Sequence, residues 1–181
     1  MNFRISLAGD LGSGKSTVAK ILSEKFNAEI ISTGNMLRLI AERMGLTIKD
    51  LNVYIEKDPS YDRKIDDTLV EFDKKEGDFI FDSRMAWYFV PSATSFYLKV
   101  QPSVAAKRVF AANRSNEKYA SEQEAYDCLY ARRLSEAKRY LANYGQDIMD
   151  LDNYDCVIDT TCLSPEEVAE RIIQFLQNKG L

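Results

Sequence analysis

The stretch Gly9-Asp10-Leu11-Gly12-Ser13-Gly14-Lys15-Ser16-Thr17 decides the fold. It matches G-x-x-x-x-G-K-[ST], the P-loop pattern, with Gly9, Gly14, Lys15 and Ser16 at the required places. Glycines let the backbone turn tightly and present successive N–H groups to phosphate oxygens with no Cβ in the way. A helix following the loop turns its positive end toward the same point. The whole run from Gly9 to Thr17 is therefore the candidate cofactor-binding segment, with ATP and Mg2+ the expected cofactors. Lys15 is spaced to reach the β- and γ-phosphates, and Ser16 to set its hydroxyl on the magnesium ion.

The flanking residues supply the context this motif requires. Phe3 to Ala8 is a short strand-like run, and Val18, Ala19, Leu22 and Phe26 recur at helical spacing. Ala28 to Ser32 reads as a second strand and Gly34 as a turn. Met36, Leu37, Ile40 and Met44 then predict a helix that stops at Gly45. Thr47 to Tyr61 reads as irregular and polar, with Pro59 in it. Ile65, Leu69 and Phe72 give another helical stripe, and Phe79-Ile80-Phe81, bounded by Asp78 and Asp82, a buried parallel strand.

Ser95 to Val100 is a fourth strand, and Pro102 opens a helix toward Arg114. The spacing predicts a long helix over about 122–144, ended by Gly145, and Cys156-Val157-Ile158 is a fifth strand. Ser164-Pro165-Glu166-Glu167 is a helix start with an N-cap serine, proline at the first position and a capping-box glutamate. Alternating strands and helices predict an α/β fold, a five-stranded parallel sheet covered on both faces. Two polar segments, near 45–64 and 113–123, break the alternation. In a P-loop enzyme such insertions are candidates for substrate-binding and lid elements.

The 181 residues suffice for one domain with a substantial core. A net charge of −4 offers no basic field for nucleic acid, and no apolar run approaches membrane-spanning length. The N-terminus lacks a secretory pattern, because its strand runs straight into the P-loop, and a cytoplasmic protein is expected. Cys128, Cys156 and Cys162 have no metal-ligand spacing and read as reduced thiols. The chain has no histidine, which removes Ser-His and Cys-His mechanisms. Phosphoryl transfer survives that exclusion, since positioning and charge neutralisation supply most of its catalysis.

Three charged groups are candidates for that work. Asp82-Ser83-Arg84 ends the third strand, at the edge of the sheet where open α/β folds bind ligands. There Asp82 is a candidate magnesium residue and Arg84 a candidate grip on an acceptor phosphate. Thr33 and Arg38 follow the second strand toward the same crevice. On the long helix, Tyr130, Leu134, Ala137, Leu141 and Tyr144 form one stripe, read as the core face. Arg132, Glu136 and Arg139 lie on the opposite side. This charged stripe has two readings: a solvated face held by i,i+4 pairs, or arginine forks that bind phosphates around a carboxylate.

Taken together, these residues resemble the nucleoside monophosphate kinases, specifically the cytidylate kinase group in its shorter, archaeal-type form. The resemblance rests on Ser32-Thr33-Gly34 with Arg38, on Ser83-Arg84-Met85-Ala86-Trp87, and above all on Arg133 to Tyr140, continuing through Tyr144 to Ile148 and Tyr154 to Thr160. It departs from the family pattern at Ser83, where Gly is common. The resemblance implies a three-layer α/β/α P-loop kinase core (1–32, 77–112 and 125–181) with an NMP-binding insertion at about 33–76 and a lid at about 113–124. It implies transfer of the ATP γ-phosphoryl group to CMP or dCMP by a monomer. Arg38 and Arg84 would hold the acceptor phosphate, with Thr33 lining its site and Glu136 helping to hold it. Arg132 and Arg139 would bridge the two substrates' phosphates, and Lys15 and Asp82 complete the expected catalytic set. Two alternatives stay open: another P-loop kinase with AMP, UMP, shikimate or dephospho-coenzyme A as acceptor, and a nucleotide-binding regulator that does not catalyse.

Overall fold

In the computed structural model, which describes residues 3–58, 60–112 and 118–180, Arg4–Gly9 forms β1 at the centre of a parallel sheet. On one side lies β3 (Phe79–Asp82) and beyond it β2 (Glu29–Ser32); on the other lies β4 (Thr94–Lys99) and beyond it β5 (Cys156–Asp159). All four pairings are parallel. Leu7 and Ser32 both register with Asp82, and Gly9 with Leu98, so the carboxyl ends of the inner strands meet at one edge.

Helices cover both faces. Alternation along β1 sends Ile5 and Leu7 to one side, where they pack with Val18 and Leu22 of α1 (Lys15–Phe26) and with Val168, Ile172 and Leu176 of α8 (Pro165–Asn178). Ser164 caps α8 through the predicted box: its hydroxyl accepts from Glu167 N–H at 3.2 Å, and the Glu167 carboxylate accepts from Ser164 N–H at 2.7 Å. On the other side Phe79, Phe81 and Ile31 pack with Leu69 of α4 (Ser60–Asp73) and with Ala86 of α5 (Ala86–Phe89). The architecture is the expected three-layer α/β/α, and none of the described helices is long and apolar enough to cross a membrane.

Several local expectations need correction. The helix after β2, α2 (Thr33–Met44), starts at Thr33, before Gly34 rather than after it; Ser32 caps it by accepting from Asn35 N–H. Within the stretch read as irregular, Ile48–Lys57 is helix α3, capped by Thr47. Ile48, Leu51 and Ile55 bury one side of α3 against Leu37 and Ala41 of α2 and Ile65 of α4, so α2, α3 and α4 share a small core of their own. Of the segment read as a lid, residues 113–117 lie outside the described residues. Ser121, near its end, is the N-cap of α7 (Glu122–Tyr144), whose bounds match the prediction.

The two stripes of α7 do not divide as read from the sequence: Ala137 and Tyr144 of the apolar stripe do pack, half-buried, against Met85 and Ile148, but the rest of that stripe is outside. Tyr130, Leu134 and Leu141 are 55%, 47% and 55% exposed, whereas Glu136 and Arg139 are buried. α7 runs beside α6 (Pro102–Ala112) and over the strand ends, where its neighbours are charged groups. Its buried residues mix Ala125 and Tyr140 with Glu136 and Arg139, and the two charges are paired because charges taken out of water need charged partners.

Candidate active site

The phosphate loop is built around backbone shapes that side chains would spoil. Gly9 has φ +143°, and a Cβ there would stand 2.3 Å from the Leu98 carbonyl oxygen. Gly14, at φ +90°, is the N-cap of α1 and supplies no side-chain cap, which leaves the first amides of α1 for an anion. Asp10 has a different task from its neighbours. Its carboxylate accepts from Tyr97 Oη at 2.8 Å and Val100 N–H at 3.0 Å, and it pairs with Arg133 at 2.8 Å. The Asp10 side chain thus ties the loop to β4 and α7.

Lys15 Nζ donates to the carbonyls of Gly9 and Asp10 at 2.9 and 2.8 Å. Enclosure of the ammonium, joined by the nearby Arg84 guanidinium, pushes its pKa down to about 7; Asp82, Glu136 and Asp10 act in the opposite sense. Ser16 Oγ donates to Asp82 Oδ2 at 3.0 Å, and Ser32 Oγ donates to the same oxygen at 3.2 Å. One carboxylate with hydroxyls beside a phosphate loop is a donor set suited to Mg2+, which takes one or two carboxylates and fills its shell with substrate phosphates and water. No cluster of three or more acidic, Cys or His side chains forms a self-sufficient metal cage among the described residues.

These groups face a hollow of about 120 Å³. The P-loop contributes Leu11, Gly12, Gly14, Lys15, Ser16 and Thr17; the strand ends and α2 contribute Thr33, Arg38, Asp82 and Arg84; α7 contributes Arg132, Glu136 and Tyr140. Glu136, 4% exposed, accepts from Arg84 Nε and from Arg132 Nε, the latter at 2.9 Å. Burial works to raise its pKa, but the two guanidiniums win and hold it at about 2. Arg38 is steered by Asn35, whose Oδ1 accepts from Nη2 at 2.5 Å. A second hollow, about 320 Å³, opens on the far side of the loop between Gly12, Val18, Arg108, Thr160 and Leu163. There Arg108 Nη2 donates to the Thr160 carbonyl at 2.9 Å.

One expected member does not join the group. Arg139 does not line the hollow; its Nε donates to Asp62 Oδ2 of α4 at 2.5 Å, with both side chains buried. Asp62, Arg108, Arg133 and Tyr140 are the residues the sequence reading missed. Asp62 carried a signal, since Asp62, Ile65, Asp66 and Leu69 share one helical stripe and therefore one fate. Arg133 and Tyr140 stood at the ends of the run that carries the family resemblance but were given no role of their own, and Arg108 carried no signal beyond its charge.

Known proteins resemble this chain over nearly its full length. Residues 4–162 match the model of the cytidylate kinase-like family. A cytidylate kinase of Sulfolobus acidocaldarius is 38% identical over 98% of this chain and 96% of its own. An S-adenosylmethionine-dependent nucleotide dehydratase of Lacinutrix mariniflava is 37% identical over 99% of this chain, which spans only 37% of that larger relative. Among solved structures, a shikimate kinase of Bacteroides thetaiotaomicron superposes with a TM-score of 0.64 at 18% identity, covering 97% of this chain and 98% of that one, a likeness of fold alone. Since the family model takes in every strand of the sheet and the Sulfolobus relative aligns nearly end to end, the chain belongs to the cytidylate kinase-like family of P-loop kinases.

Proposed function

We propose that this kinase transfers the γ-phosphoryl group of ATP to a nucleoside monophosphate, CMP or dCMP. The observation that carries the reading is the convergence on one hollow of the P-loop residues Lys15 and Ser16 with Arg38, Arg84 and Arg132 from three other elements. A donor needs the first pair; three further guanidiniums in the same hollow suit a second, anionic substrate. The names of the relatives, cytidylate kinases and a nucleotide dehydratase, favour a nucleotide over other acceptors.

In this mechanism the amides of the loop and Lys15 hold the donor's β- and γ-phosphates, Lys15 exchanging the Gly9 and Asp10 carbonyls for phosphate oxygens. Asp82 and Ser16 would hold Mg2+, which when bound would supply positive charge to the transferring group. Arg38 and Arg84 grip the acceptor phosphate, and Thr33 lines its site. An acceptor oxygen then forms a bond to the γ-phosphorus as the bond to the β,γ-bridging oxygen breaks, and ADP leaves. The attacking oxygen belongs to a phosphate already ionised at neutral pH, so no general base is called for and the lack of histidine costs nothing. Glu136, ionised and fully paired, acts as an anchor that sets Arg84 and Arg132. Arg132, with Arg139 when the cleft closes, offsets charge in the transition state. The three-helix unit of about 33–76 serves as the NMP-binding insertion and about 113–124 as the lid, and the second hollow suits the donor's base.

The test is turnover of Mg-ATP by the purified protein with CMP, dCMP, UMP, AMP and shikimate. Preference for CMP or dCMP is expected. Turnover of shikimate alone, or equal use of AMP, would replace the acceptor; binding of ATP without turnover of any acceptor would favour the regulator.

A further inference from the structure

The geometry points to Asp62 as a positioning residue of the transfer reaction, one that aims Arg139 at the acceptor's phosphate; this rests on the kinase reading above. Arg139 and Asp62 are 7% and 2% exposed. A guanidinium has five N–H donors in a rigid plane, so a carboxylate that takes Nε fixes where the others point. Asp62 takes Nε at 2.5 Å. Nη1 of Arg139 is buried and has no hydrogen-bond partner among the described residues. A pair serving only to join α4 to α7 has no reason to leave a cationic donor unmade, since unmade buried donors are costly.

The position of the pair says what that donor is for. Arg139 stands three residues beyond Glu136, the carboxylate that sets Arg84 and Arg132 in the hollow. Tyr140 touches both sites: it lines the hollow, and the Arg139 guanidinium carbon lies 5.6 Å from its ring centroid. Asp62 is on α4, in the same three-helix unit as Arg38. A movement of that unit therefore carries Arg38 and Asp62 together, and through Asp62 turns Arg139. A phosphate oxygen is the partner whose chemistry fits the unmade Nη1: anionic, and brought to the cleft only with the acceptor.

The experiment compares wild type, Asp62→Asn, Asp62→Glu, Arg139→Ala and the Asp62→Asn/Arg139→Ala double variant in steady-state kinetics with Mg-ATP and CMP, well below each variant's melting temperature. Asp62→Asn is expected to lower kcat/KM for CMP on the order of tenfold, through both a raised KM for CMP and a lower kcat, with KM for ATP nearly unchanged. On the Arg139→Ala background the same change is expected to add nothing, because Asp62 acts through Arg139. Asp62→Glu keeps the charge and should recover part of the loss; it also carries the test if Asp62→Asn does not fold. A lowered melting temperature with CMP kinetics equal to wild type in both Asp62 variants would overturn the proposal and leave the pair a structural link. Wild-type protein that turns over no nucleotide would instead overturn the kinase reading, and this proposal with it.

Discussion

Ser16 and Asp82 stand 66 residues apart in sequence, yet Ser16 Oγ donates to Asp82 Oδ2 at 3.0 Å. The first opens α1 and the second closes β3, so the contact exists only because β1 and β3 are neighbours in the sheet. Asp82→Asn removes the charge while keeping an oxygen for the serine. Turnover at fixed ATP should fall, and the magnesium concentration for half-maximal rate should rise. An unchanged magnesium dependence would remove Asp82 from the metal site.

Lys15→Ala should abolish turnover and leave the melt cooperative, because the charge that Lys15 brings is needed most where negative charge gathers. Its pKa of about 7 adds a sharper test. At pH 8 a group with that pKa is mostly deprotonated, and a bound triphosphate raises the pKa again. Mg-ATP binding at pH 8 should therefore take up ~0.9 proton, falling to about half a proton at pH 7. Calorimetry in buffers of different ionisation enthalpy measures this, and Lys15→Ala should show none of it.

Arg84→Ala should weaken the acceptor more than ATP, since a planar fork has no shorter substitute. It also strips Glu136 of one of its two arginines. A rise in KM for ATP with the acceptor's unchanged would place Arg84 on the donor.

From the sequence, Arg139→Ala would touch only an exposed face and cost little stability. Its burial against Asp62 reverses that expectation. Breaking a buried pair from one side costs roughly 3–5 kcal/mol, and Arg139→Ala should melt accordingly earlier at pH 8. Burial already holds the Asp62 carboxyl above its usual range despite Arg139. Without the arginine it should take up a proton more readily, so the deficit should shrink by pH 5.

Asp66 lies one turn beyond Asp62 and accepts from Tyr144 Oη at 2.8 Å. Burial raises its pKa to about 7, Tyr144 opposing and Asp62 adding to the effect. The folded chain then holds a proton that the unfolded chain has lost at the same pH. The contribution of Asp66 to stability is thus fully present below its unfolded value near 4 and is lost as pH rises through 7. Asp66→Asn, neutral at every pH, should melt above wild type at pH 8, with the gap closing as pH falls to 5.

The sequence was most legible where backbone geometry dictates residue type. The P-loop, the capping box at Ser164 and the limits of the long helix at Ser121 and Gly145 are each fixed by neighbours within a turn or two. The inner and outer faces of α7 were not legible, because apolar periodicity presumes an apolar neighbour. Here the neighbour is the crowd of charges around Glu136, and Leu134 and Leu141 were left outside. α3 was hidden by its polar surroundings and Pro59, although Ile48, Leu51 and Ile55 spelled its buried side. The partnership of Asp62 with Arg139 spans 77 residues, and nothing local to either announces it.

The place of β1 in the sheet has a consequence for how the chain assembles. Its two neighbours begin at Phe79 and Thr94, so during synthesis the phosphate-binding motif emerges long before either ladder that shapes it. Nucleotide stabilises only a form that can bind it. Its binding free energy is therefore withheld at least from every partly made chain shorter than about residue 99. Nucleotide thus acts late in the making of this protein, with no part in guiding the early steps.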